Sequence, residues 1–254
     1  MVTTTTTRAA TSTGTVMAEQ MPTPMPERIS AAARVRLTTF LSPAFPVGAF
    51  SYSHGLEWAI DTGTVRDAST LAGWIDDLLT RGSFWTDAVV FKCAHEGAIK
   101  RDEAAVLVIG ELAEALTPSR ERHLETMAMG EAFLVAVRAA WPDDALTRLF
   151  VATGGKVAYP VAVGVATAVH AIPLEDALPV YLNTLAANLV SVAVRLVPLG
   201  QSEGLRVIAR IEPVVLATAE RAARATIGDI GSATIRSDIA SMKHETQYSR
   251  VFRT

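Results

Sequence analysis

At 254 residues, half of them hydrophobic, the chain can bury a large core within a single domain. A formal net charge of −3 and a sequence pI near 6.0 leave no basic stripe for a nucleic-acid backbone. Cys93 is the only cysteine, which excludes an intramolecular disulfide or a cysteine-rich zinc site and fits a reducing, cytoplasmic compartment.

Residues 1–27 are rich in threonine and proline and offer almost nothing to bury. They read as a disordered tail, without the apolar central run of a secretory signal. From Arg28 the spacing becomes helical, with Ile29, Ala33, Leu37, Phe40 and Leu41 on one stripe. That helix runs into Leu41 to Trp58, L-S-P-A-F-P-V-G-A-F-S-Y-S-H-G-L-E-W. Pro43, Pro46 and Gly48 there specify a fixed loop, followed by a short helix from His54 to Asp61 that ends at Gly63. Leu71, Trp74, Ile75, Leu78 and Leu79 mark a strong amphipathic helix, with Gly82 expected as its left-handed cap.

Alanine-rich helices follow over 84–100 and 102–116, up to the break at Thr117-Pro118-Ser119. The next stripe is expected on Leu124, Met127, Ala128, Glu131, Leu134 and Val135. Trp141-Pro142-Asp143-Asp144 opens a short helix, and Thr153-Gly154-Gly155-Lys156 makes a turn. The apolar run Val157 to Val169 is shorter than the roughly 20 residues a bilayer crossing needs, so it reads as a core helix. A long helix to about Val197 and another over roughly 203–226, kinked at Pro213, precede a polar tail. No convincing strand, fixed-period repeat or interdomain linker interrupts this pattern. The fold class is therefore all-α: a single-domain bundle of roughly eight to ten helices over 28–254, with the C-terminal tail at about 229–254.

Three chemistries are tempting. Ser53 beside His54 suggests a nucleophile and base, but Ser51 holds the first glycine position of a G-x-S-x-G elbow. Gly154-Gly155-Lys156 resembles part of a phosphate loop, yet Phe150 replaces its first glycine and Val157 its hydroxyl residue. For metal, His54 with Glu57, Cys93 with His95, and His244 with Glu245 are each half a site; Tyr248 stands where H-E-x-x-H needs its second histidine. In the tail, Tyr248, Val251 and Phe252 alternate with Gln247, Arg250 and Arg253. Such residues anchor interfaces or dock the tail on its own domain.

The segment P-V-G-A-F-S-Y-S-H-G-L-E at 46–57 resembles the signature of the UreF family of urease accessory proteins. Three further segments agree in order: G-G-K-V-A-Y-P-V-A-V-G at 154–164, P-L-G-Q at 198–201, and H-E-T-Q-Y-S-R-V-F-R-T at 244–254. The resemblance spans 34–254. It implies an all-α homodimer without catalytic activity or cofactor of its own, a scaffold for nickel insertion into apo-urease. Such a scaffold joins UreD, also called UreH, and recruits the GTPase UreG, to which GTP hydrolysis belongs. Carried over by motif, Tyr52, His54, Glu57, Lys156, Tyr159 and Gln201 are expected near the GTPase-facing surface or the route of nickel. His244, Glu245, Gln247, Tyr248, Arg250, Phe252 and Arg253 are expected to bind UreD. Leu205 departs from the family, which often has a further glutamine after Gln201. The alternative reading is a helical hydrolase using Ser53 and His54.

Overall fold

The computed structural model describes residues 1–5 and 29–254; most of the expected N-terminal tail lies outside them. Among the described residues the regular structure is entirely helical, as expected. The α-helices are α1 (Ala31–Phe40), α2 (Leu56–Asp61), α3 (Ala68–Arg81), α4 (Ser83–Ile99), α5 (Glu103–Ala115) and α6 (Arg120–Ala140). They continue as α7 (Asp144–Thr153), α8 (Tyr159–Val169), α9 (Leu174–Leu196), α10 (Gln201–Ala223) and α11 (Ile235–His244).

The centre of the bundle is α8, every residue of which from Tyr159 to Ala168 is buried. It packs chiefly on α4 and α6, and small residues permit the approach. A methyl group at Gly130 of α6 would collide with the Val157 carbonyl oxygen at the entry to α8. By length and composition α9 could cross a membrane, yet half of its most apolar stretch is buried inside the bundle. The α1 and α3 stripes fall as the sequence predicts, with Ala33, Leu37, Phe40, Leu71, Ile75, Leu78 and Leu79 in the core.

Three expectations change. Gly82 is extended (φ −116°, ψ −154°) rather than left-handed, and ends α3 while starting α4. Its lack of a side chain is needed for space, because a Cβ there would lie 2.8 Å from the Thr234 hydroxyl. Helix α10 spans the expected stretch with Pro213 inside it, its side chain exposed to water. The stretch expected as a plain polar tail contains a ten-residue helix, α11, with Ser237, Ala240, Ser241 and His244 inward. Finally, α6 keeps only part of the expected stripe: Leu134 is buried and Met127 and Ala128 are half-buried, but Leu124, Glu131 and Val135 are exposed, and Glu121, Arg122, Glu125, Thr126, Met129, Phe133 and Val137 turn inward instead.

Gly130→Ala should lower unfolding stability by about 1–3 kcal/mol through overpacking at the α6–α8 crossing. Gly73→Ala, in the exposed middle of α3 with nothing within 4 Å of the new methyl, should raise it by about 0.5–1 kcal/mol. Urea denaturation of the two variants checks both signs.

Candidate functional site

The loop after α1 is fixed from within. Phe45 is buried with its ring 6.0 Å from that of Phe40 and 5.0 Å from that of Phe133. Gly48 turns left-handed (φ 70°) into a single 3-10 turn at Ala49–Ser51. His54 and Gly55 then both take positive φ, 58° and 76°, before α2 begins. A side chain at Gly55 would lie 2.7 Å from the Ser241 amide nitrogen, so the backbone of α11 rests directly on this glycine. The chain end thereby returns to the first loop.

After α11 the last residues run along that loop and α2. Arg253 N–H donates to the Ser51 carbonyl at 2.8 Å, and Ser53 N–H donates to the Thr254 main-chain oxygen at 2.6 Å. The Ser53 hydroxyl donates to the same oxygen. The Glu57 carboxylate accepts from the amides of Val251 (2.6 Å) and Phe252 (2.9 Å), and meets His244 Nε2 at 3.0 Å. His244 Nδ1 lies 2.7 Å from Glu121, whose other oxygen accepts from Arg250 at 2.7 Å. Phe252 is buried beneath the Arg195 guanidinium, 4.5 Å from its ring centre.

Beneath this lies a second polar layer. His54 Nδ1 is 3.3 Å from Glu125 and its Nε2 is 2.6 Å from the Ser83 hydroxyl. Arg122 pairs with the other Glu125 oxygen at 2.6 Å, and the Thr254 hydroxyl donates to it at 3.0 Å. Burial acts to raise the Glu125 pKa, but Arg122 and His54 outweigh it and hold the carboxyl down at about 2. An ionised carboxylate only accepts, so Nδ1 carries the imidazole proton and Nε2 accepts from Ser83. Burial, with help from Arg122 and against Glu125, pushes His54 down to about 4, so the ring is neutral at pH 7. A cavity of about 150 Å³ opens beside Ser83, Asp87, Arg122, Thr126 and Asp238. Burial pushes Asp87 up to about 7 against the pull of Arg122.

The expected site residues therefore divide. Tyr52, His54, Glu57 and Tyr159 are buried. Of these, Glu57 meets the chain's own end, whereas the His54 ring is turned to Ser83 and Glu125. His244 and Phe252 are buried with them, and Arg250 joins through Glu121. Gln247 is half-buried, while Glu245, Tyr248 and Arg253 present exposed side chains. Lys156 and Gln201 are exposed elsewhere, and Tyr159 sits in the core against Phe133 and Tyr181. The Gly-Gly-Lys turn is no phosphate cradle: the amides of Gly154, Gly155 and Lys156 already donate to carbonyls of Val151, Phe150 and Thr153. Nor does Ser53 meet His54. Ser53 is fully buried on Thr254, and the ring bonds Glu125 and Ser83 instead.

Sequence reasoning missed Glu121, Arg122, Glu125, Ser83 and Thr254. The only signal was two glutamates four residues apart flanking an arginine on one helix face. Among the described residues no group of three His, Cys, Asp or Glu side chains could hold a metal ion.

The family model described as UreF matches residues 65–212. The chain is 49% identical over 223 residues to the urease accessory protein UreF of Rhodopseudomonas palustris strain HaA2, covering 88% of this chain and 94% of that protein. It is 48% identical over 231 residues to the protein of that name from strain TIE-1 (91% and 96%). The identity to the one from Bradyrhizobium sp. strain ORS 278 is 50% over 223 residues (88% and 92%).

A neutral buried histidine binds protons more readily when unfolded, so its contribution to stability is lost as pH falls from about 6.5 through 4. Asp87, raised to about 7, acts with the opposite sign over much of that range. In an Asp87→Asn background, stability should therefore fall by about 3 kcal/mol more between pH 6.5 and 4 with His54 present than with His54→Gln. Chemical denaturation at several pH values measures the difference.

Proposed function

The chain belongs to the UreF family of urease accessory proteins, and from that premise we propose that it is a non-catalytic scaffold for nickel insertion into apo-urease. In this reading it works in the cytoplasm as a homodimer, joins UreD/UreH and recruits the GTPase UreG. GTP binding and hydrolysis belong to UreG, nickel is cargo, and the chain keeps no cofactor of its own.

The observation that carries the reading is the orientation of α11. Its inward face is small and polar, Ser237, Ala240, Ser241 and His244, whereas its large apolar residues Ile235, Ile239 and Met242 face outward and are about half exposed or more. Tyr248 and Val251 extend the exposed apolar surface along the tail. A helix that turns its apolar side to water presents it to another surface. Arg236, Lys243 and Arg253 stand exposed around it, so an apolar patch with an acidic rim is its complement. We assign this face to UreD/UreH. Lys156, in the turn before α8, and Gln201, at the start of α10, are both exposed and are assigned to UreG; a lysine there could also tune the partner's GTP hydrolysis.

The hydrolase alternative loses its motivation. The serine it requires is fully buried on Thr254, and the histidine beside it is turned to Ser83 and Glu125.

Coexpression with UreD and UreG counterparts should yield a ternary complex on pulldown of one member. Ile239→Glu should weaken capture of the UreD counterpart at least tenfold while circular dichroism keeps the helical signal. Unchanged capture would remove α11 from the interface. Absence of any complex with all three proteins soluble would sink the scaffold reading, and the partner's GTP turnover with and without this chain reads any effect on hydrolysis.

A further inference from the structure

The hydrogen-bond pattern around His244 does not close with ordinary charges. Its side chain is completely buried, and both ring nitrogens meet carboxylate oxygens: Nε2 meets Glu57 at 3.0 Å and Nδ1 meets Glu121 at 2.7 Å. A neutral imidazole has only one N–H, and an ionised carboxylate only accepts. With both glutamates ionised and the ring neutral, one bare nitrogen would confront one bare oxygen at hydrogen-bond distance.

The glutamates are committed by their other partners. Glu57 receives two backbone amides from Val251 and Phe252. Glu121 receives Arg250. One additional proton resolves the pattern, shared within the Glu121–His244 pair. Burial raises the Glu121 pKa, outweighing His244 and Arg250, so either member can carry the proton and it belongs to the pair. With it, two carboxylates balance the guanidinium and the extra proton, and the buried cluster is neutral.

We propose that the Glu57–His244–Glu121 cluster is a proton-locked clasp, which holds the segment from Glu245 to Thr254 against the body only while the extra proton is present. Release exposes the cluster to water, where a histidine gives up its second proton near pH 6.5 and a carboxyl near pH 4.3, both approximate model-peptide values. The clasped form thus binds one proton more than the released form at neutral and alkaline pH. By linkage, clasping weakens as pH rises, by up to about tenfold per pH unit.

Every element against the ring contributes a named group: Glu57 from α2, Glu121 from α6 and Arg250 from the tail. Glu245, next in the chain, accepts instead from the Arg120 amide, and Lys243 is exposed. Arg122, Glu125 and His54 form the adjoining layer, already paired with one another. The clasp is a property of the single chain and does not depend on which partner the outer face takes.

The test uses the full chain and the amides of Val251 and Phe252, which donate to Glu57. Their hydrogen-exchange protection factors, corrected for intrinsic exchange, should fall up to about tenfold per unit between pH 7.5 and 9. Amides at the centre of α8 should change much less. His244→Gln should flatten that pH dependence; a variant that fails to fold leaves the wild-type measurement decisive. Nitrogen NMR of the wild-type ring at pH 7.5, with carbon NMR of the Glu121 carboxyl, should locate the extra proton on one or the other. Protection factors constant across the window, or a ring with one bare nitrogen beside two ionised carboxylates, would overturn the clasp.

Discussion

The Glu57 carboxylate accepts from Val251, Phe252 and His244, joining α2 to residues about 190 positions later in the chain. Taking a carboxylate out of water costs several kcal/mol, and the cost is recovered only where several donors converge with good geometry. Glu57 meets that condition with partners drawn entirely from the last eleven residues. Removal of the tail would leave it without three donors, together with the Glu121 and Glu125 oxygens that face Arg250, His244 and Thr254. The first loop and the chain end therefore form one structural unit.

That unit accounts for the unusual backbone of the loop. His54, at φ 58°, occupies a region disfavoured for a residue with a side chain, which costs on the order of 1 kcal/mol and survives only where surroundings over-determine it. Glu125 and Ser83 hold the ring from both sides, and the edge of the Phe84 ring packs on it at 5.1 Å between centroids. Gly55 follows in the same region because α11 leaves no space for a Cβ. Two successive left-handed residues reverse the chain and start α2 with Glu57 pointing at the tail. The proline-and-glycine signature is a seat for the C terminus, with the tail as the object it receives.

The periodicity of apolar residues made most helices legible, because α1, α3 and α8 bury ordinary hydrophobic stripes. It failed in part on α6, where Leu134 went inward as expected but Leu124 and Val135 did not, and the bundle buried a polar edge beside them. Glu121, Arg122 and Glu125 were invisible as interior residues because each is favourable there only in the company of the others and of the distant tail. A single-sequence reading prices a charged residue as solvated unless it can see the partner, and these partners lie from about 70 to 130 positions away. The tail was legible as aromatic and basic, yet its contacts with its own body and its outward surface could not be separated until α11 was oriented.

Orientation also explains how one short segment can serve inside and outside at once. His244, Phe252 and Thr254 point inward and bury completely or nearly so, whereas Tyr248, Val251 and Arg253 alternate with them and remain exposed. Inward groups set the position of outward ones, because the backbone of Val251 is fixed by Glu57 while its side chain faces water. A surface displayed on a segment held in this way loses less conformational entropy on association than a free tail would. In the scaffold reading proposed above, the polar network would contribute to recognition without contacting a partner, by determining the conformation in which the apolar face of α11 and the tail is offered.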